Sequence, residues 1–227
     1  MSRFRRMDVL LRIEATGLVP VFYEPNLEVA RELLAACAEG GAGVVEMTNR
    51  GDHAVEVFSQ LERSGRDRYP DLMLGVGSVV DAPTAALYIA AGAAFVVGPS
   101  LDRETALLCN KRKIPYLPGC GSMTEISAAH ELGVEICKIF PGASVGGPDF
   151  VKAVKGPCPW TSFMPTGGVD PTPESLEKWF SAGITAAGIG SRLISKELVK
   201  AGNYRAITEN VRRTLGLIAD IKKKIRR

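Results

Sequence analysis

Metal-binding residues are scarce in this chain. Its 227 residues include two histidines and five cysteines, Cys37, Cys109, Cys120, Cys137 and Cys158, each standing alone. There is no CxxC pair and no His/Cys ligand spacing, which speaks against a zinc centre. An odd, scattered set of thiols fits reduced cysteines in a cytoplasmic protein, not a disulfide framework. No apolar run approaches the ~20 residues of a membrane span. The start lacks a secretory leader pattern, because the stretch from Met7 to Glu14 carries charge throughout. Strong net charge is lacking too, at +3. Eight of the 28 basic residues sit at the ends, as Arg3, Arg5, Arg6, Lys222, Lys223, Lys224, Arg226 and Arg227, leaving 20 against 25 acidic ones. The ends read as solvated basic tails. With no recognition helix or aromatic pattern beside them, they are not expected to bind nucleic acid.

Apolar residues are plentiful, at 46%, enough for a sizeable core. They fall in short strand-like runs: Leu18–Phe22, Val44–Met47, Leu72–Gly75, Phe95–Val97, Pro115–Leu117, Ile136–Ile139, Ser162–Met164 and Ala186–Ile189. Segments of helical period lie between them, such as Leu27–Ala38 and Glu174–Phe180. Alternation of this kind predicts βαβ units and a parallel sheet. Glycine closes a helix and leads into a strand at Gly41, Gly92, Gly133 and Gly183, a position that favours a left-handed cap. Spacings of 51, 41 and 50 residues correspond to two βα units each. The expected fold is therefore an α/β (βα)8 TIM barrel, a single domain over 1–227 with the barrel itself over 17–200. A helix over 1–16 packs across its bottom, and a C-terminal helix spans 204–224.

A barrel of this type places its chemistry at the C-terminal ends of its strands. The polar and glycine-rich clusters of this chain all fall there. Lys138 is the most informative of them, a lysine inside the apolar run Cys137-Lys138-Ile139-Phe140. Burial would lower its pKa and free an amine that attacks carbonyl carbon; the alternative is an amine that snorkels to water. Glu46 interrupts another apolar strand, as an ion-pair partner of Arg50 or Lys138, as a proton shuttle, or as both. Thr166-Gly167-Gly168 and Gly190-Ser191 follow the seventh and eighth strands, where this fold commonly binds phosphate.

Five motifs occur in order: E-x-T-x-R (Glu46 to Arg50), G-x-G-S-V (Gly75 to Val79), P-G with T-E (Pro118-Gly119, Thr124-Glu125), K-x-F-P (Lys138 to Pro141) and P-T-G-G (Pro165 to Gly168). Together they resemble the KDPG/KHG aldolases, which act on 2-keto-3-deoxy-6-phosphogluconate and 4-hydroxy-2-oxoglutarate. The resemblance runs from about Leu18 to Leu198. It implies a class I aldolase without metal or cofactor, commonly a homotrimer, whose partner is a small keto acid. Lys138 would form the Schiff base and Glu46 would be the general acid/base. Arg50, Ser78 and Thr166 would hold the pyruvate carboxylate, with Phe140 walling the pocket. Gly167, Gly168, Gly190 and Ser191 would receive phosphate.

The expected substrate is 2-keto-3-deoxy-6-phosphogluconate, giving pyruvate and glyceraldehyde 3-phosphate. Cleavage of 4-hydroxy-2-oxoglutarate, or of a phosphogalactonate analogue, is the alternative within the class. A phosphosugar isomerase or epimerase fits two unpaired histidines poorly. A non-catalytic barrel would not need Lys138, Glu46 and Arg50 together. The chain departs from the family at Asn49, at Gly98-Pro99 and at Tyr23-Glu24, where a carboxylate near the rim would repel an anion. Residues 141–147 read as a mobile loop. Trp160 and Trp179 read as packing residues, His53 and His130 as ordinary helix residues, and Cys137 as facing away from Lys138.

Overall fold

A computed structural model describes residues 2–225; Met1, Arg226 and Arg227 lie outside it. The order along the chain is α1 (Arg6–Thr16), β1 (Leu18–Phe22), α2 (Leu27–Glu39), β2 (Val44–Thr48), α3 (Ala54–Arg68), β3 (Met73–Gly77), α4 (Ala82–Ala90), β4 (Val96–Val97) and α5 (Arg103–Arg112). It continues with β5 (Tyr116–Leu117), β6 (Gly119–Cys120), α6 (Met123–Glu131), β7 (Ile136–Ile139), α7 (Gly147–Lys155), β8 (Ser162–Pro165), α8 (Pro173–Ser181), β9 (Ala187–Ile189), α9 (Lys196–Lys200) and α10 (Tyr204–Ile225).

The strands run parallel in two arcs, β5-β4-β3-β2-β1-β9 and β6-β7-β8. A bridge from Thr166 to Gly188 joins the arcs on one side. On the other, the fifth strand, expected over Pro115–Leu117, forms β5 and resumes beyond Pro118 as the short β6. Proline has no N–H to give the ladder, while its carbonyl accepts the Lys138 N–H at 2.9 Å. The ring is the expected (βα)8 barrel. The four repeat glycines take the left-handed conformation, with φ of 96°, 105°, 74° and 98° at Gly41, Gly92, Gly133 and Gly183.

Alternate strand residues point inward. Val19, Val44, Met73, Phe95, Leu117, Ile136 and Met164 form an apolar layer at the barrel's lower end, closed by Val9 and Ile13 of α1. Burying each of those two side chains contributes about 1.5–3 kcal/mol. Outside the ring, α10 buries Ile207, Val211 and Ile218.

The ends differ from expectation. Helix α1 starts at Arg6, since Arg5 is extended, and its arginines are fastened in place. Arg3 donates to the carbonyls of Arg66, Tyr69 and Leu72. Arg6 binds both oxygens of Glu135, at 2.7 Å each, and also Asn110. Lys222 donates to the Glu14 carbonyl. Arg3, Arg6 and Lys222 thus fasten the termini to the barrel and are not solvated, whereas Arg5 and Lys223 stay largely exposed as expected; Arg226 and Arg227 lie outside the described residues. Among the described residues, no helix is long and apolar enough to cross a membrane.

Candidate active site

The period of two that builds the apolar layer also builds the polar layer above it. Two residues beyond Val44 stands Glu46, and two beyond Ile136 stands Lys138. Cys137, between them in parity, joins the apolar layer between strands and helices. Thr48 and Thr166 follow at the next step, beyond Glu46 and Met164. Lys138 is 5% exposed and Glu46 is 1% exposed. Burial pushes the Lys138 amine below the usual lysine value, with the Glu46 charge opposing and the Arg50 charge adding. Burial likewise pushes the Glu46 carboxyl above the usual range, against the pull of Lys138 and then Arg50. Neither takes part in an ion pair among the described residues, so contact pairing does not hold them in their charged forms. Instead Lys138 Nζ lies 4.6 Å from the centre of the Phe140 ring, and Glu46 Oε2 is buried without a hydrogen-bond partner. A buried carboxyl oxygen left open in this way is costly unless something binds there.

Gly77 makes room for that carboxyl. A Cβ built on Gly77 would overlap Glu46 Oε1. The next residue, Ser78, is a non-glycine residue at φ 59°, a left-handed conformation that costs of order 1 kcal/mol or more. Its Oγ accepts from Arg50 Nε at 3.3 Å. The strained serine thus orients the guanidinium.

A cleft of about 600 Å³ opens over this layer, lined by Arg50, Phe140, Thr166, Gly167, Gly190 and Ser191 among others. The structure therefore gathers these expected binding residues in one cavity. Lys138, Glu46 and Ser78 do not line it themselves but touch or couple to Phe140 and Arg50, which do. Gly168 does not line it either. Its carbonyl accepts from Trp179 Nε1, and a Cβ there would collide with Ala143. The 141–147 segment, expected to be mobile, is tied down: Gly142 N–H donates to the Thr166 carbonyl at 2.9 Å and Ala143 N–H to that of Gly167 at 3.1 Å.

Other expectations sort cleanly. Trp179 is buried, whereas Trp160 is 71% exposed and does not pack. His53 is not a helix residue: it precedes α3 at φ 59°, and its imidazole pairs with Glu56 on the surface. Asn49 points away from the cleft, accepting from the Tyr88 hydroxyl at 2.8 Å. The cleft also takes in residues that sequence reasoning missed: Thr48, Lys196 and Lys200. The two lysines carry no motif of their own; their i, i+4 spacing just beyond Gly190-Ser191 was the available signal. Among the described residues, no group of three or more His, Cys, Asp or Glu side chains is placed to hold a metal ion.

A family model for KDPG and KHG aldolase matches residues 9–210. The 2-dehydro-3-deoxy-phosphogluconate aldolase of Pseudoalteromonas atlantica is 33% identical, over 90% of this chain and 92% of its own. The KHG/KDPG aldolase of Escherichia coli is 29% identical, over 88% and 92%. Among solved structures, the KDPG aldolase from Legionella pneumophila superposes with a TM-score of 0.82 at 30% identity, covering 90% of this chain and 97% of that one. That structure holds pyruvate captured at low pH as a covalent carbinolamine. With the barrel, the buried lysine–glutamate layer and the ordered motifs, these matches place the chain in the KDPG and KHG aldolase family.

Proposed function

We propose that this protein is a class I aldolase that cleaves 2-keto-3-deoxy-6-phosphogluconate to pyruvate and glyceraldehyde 3-phosphate through an imine on Lys138. One observation carries the reading. A lysine and a glutamate are buried together in the polar layer, each driven toward its neutral form, beside a cleft lined by Arg50.

The neutral amine of Lys138 attacks the C2 carbonyl carbon, and proton transfer gives a carbinolamine. Glu46, protonated, gives its proton to the departing hydroxyl, which leaves as water and creates the protonated imine. The resulting Glu46 carboxylate takes the proton of the C4 hydroxyl. The C3–C4 bond then breaks, its electron pair flows into the imine, and the aldehyde departs. The enamine left behind is protonated at C3 by Glu46. Water adds to the imine carbon, and pyruvate leaves as Lys138 regains its amine. The imine itself is the electron sink, so the sequence of steps requires no Lewis acid and is expected to survive chelation. Arg50, with Ser78 and Thr166, suits the pyruvate carboxylate, because a planar guanidinium matches that group. Gly167, Gly190 and Ser191 offer backbone N–H groups to a phosphate. We infer homotrimeric assembly on the family resemblance, to be read by light scattering.

Incubation with pyruvate and borohydride is expected to leave a reduced pyruvyl adduct on Lys138, located by peptide mass analysis. An unmodified Lys138 would overturn the reading.

A further inference from the structure

The cleft carries charge that the imine chemistry does not use. Lys196 and Lys200 both line it, together with Gly190 and Ser191. They sit four residues apart on α9 and so project from one face. Neither takes part in an ion pair or side-chain hydrogen bond among the described residues. The short helix is fixed in place: Ser195 Oγ accepts from the Leu198 N–H at 3.3 Å, Ile194 is buried, and Leu198 and Val199 pack on the core. Glu24 lines the same cleft from the end of β1. One of its oxygens accepts the Asn26 N–H at 2.9 Å, which holds the carboxylate at the rim. Three charged side chains thus line the same cavity as Arg50.

We propose that Lys196 and Lys200 are specificity-determining residues that select a phosphorylated distal end, and that Glu24 opposes them. The inference rests on the aldolase reading above and deepens it. Two ammonium groups on one helical face match the several oxygens and double charge of a phosphate monoester. Glu24 repels that same group while its free oxygen accepts from hydroxyls along the substrate chain. The opposed signs tune affinity: the lysines raise it for a phosphate, and the carboxylate keeps it from becoming so tight that product lingers.

Steady-state cleavage of 2-keto-3-deoxygluconate with and without its 6-phosphate tests this. In a Lys196→Ala/Lys200→Ala double variant, the ratio of kcat/KM for the phosphorylated over the unphosphorylated substrate is expected to fall ~10- to 100-fold, chiefly through KM, as for the loss of charge-assisted hydrogen bonds. In Glu24→Gln the KM for the phosphorylated substrate should fall. Added salt should shrink the parent's preference and leave the double variant's nearly unchanged. Titration with inorganic phosphate reads the same site without turnover, and the double variant should bind it more weakly than the parent. Equal phosphate binding by both, or an unchanged substrate ratio, would overturn the inference. Borohydride trapping of pyruvate on Lys138 runs alongside: trapping intact with an unchanged ratio sinks only this inference, and trapping absent in the parent sinks the aldolase reading.

Discussion

The carboxyl group of Glu46 occupies the space in which a side chain on Gly77 would stand. The two residues lie on neighbouring strands, with Glu46 in register with Gly75 and Thr48 with Gly77. The general acid/base proposed for this site therefore owes its position to a missing Cβ on the adjacent strand.

Gly77→Ala should displace Glu46 without touching the substrate-binding groups. Overpacking of this kind costs about 1–3 kcal/mol. A lower Tm, a much reduced kcat and a nearly unchanged KM for pyruvate exchange are expected from thermal denaturation and steady-state kinetics. A variant as active as the parent would show that the carboxyl can work from elsewhere.

Glu46→Gln should reduce kcat by about 10²- to 10⁴-fold, the usual weight of one general acid/base. It should also move the pH dependence of imine formation. The Glu46 charge raises the Lys138 pKa against burial. Without that charge the amine stays neutral to lower pH, so the acidic limb shifts downward. Pre-steady-state trapping of pyruvate across a pH series reads the midpoint independently of the absolute rate.

Stability should carry the cost of the buried lysine. Its folded pKa is depressed, so its favourable contribution is full above the ordinary lysine value and is lost as pH falls toward the folded value. In a Glu46→Gln background, adding Lys138→Met should therefore raise Tm at neutral pH. The gain should shrink as pH approaches about 10.4, where an unfolded-chain lysine also loses its proton. A gain independent of pH would point to packing and not to ionisation. The Lys138→Met variant should trap no pyruvate.

Asn49 should prove structural. Its Oδ1 holds the hydroxyl of Tyr88, whose ring is buried and packs edge-on against Phe58 at 5.1 Å between centroids. Asn49→Leu strands that hydroxyl, at a cost of about 1–3 kcal/mol. Tyr88→Phe in the same chain should recover part of the loss. Chemical denaturation of the single and double variants gives the coupling. KM for the keto acid should change little, and a large rise would return Asn49 to the binding site.

Much of this site was legible along the chain because strand parity is local. Val44 and Glu46 share a face, as do Ile136 and Lys138, and that placed an acid and an amine together inside a barrel. The positive-φ glycines were legible for a similar reason: Gly41, Gly92, Gly133 and Gly183 each close a helix at a position that penalises a Cβ. Arg3 and Arg6 were read as solvated because nothing local pairs them, unlike Arg5, which meets Asp8 three residues on. Arg6 meets Glu135 and Asn110 more than a hundred residues away. Trp160 was read as buried from its type alone, and its loop leaves it at the surface.

The sequence by itself determined the repeating βα order, the apolar and polar layers of the barrel interior, and the burial of Lys138 and Glu46 in the polar one. Each depends on a period of two or on caps formed by near neighbours. Only the tertiary structure decided that the Glu46 carboxyl would lie over Gly77, that Asn49 would serve Tyr88, and that Glu24, Lys196 and Lys200 would line one cleft. Those relationships join β2 to β3, β2 to α4, and β1 to α9. They exist only once the ring closes, because ring closure sets the distance between strands that the chain keeps far apart.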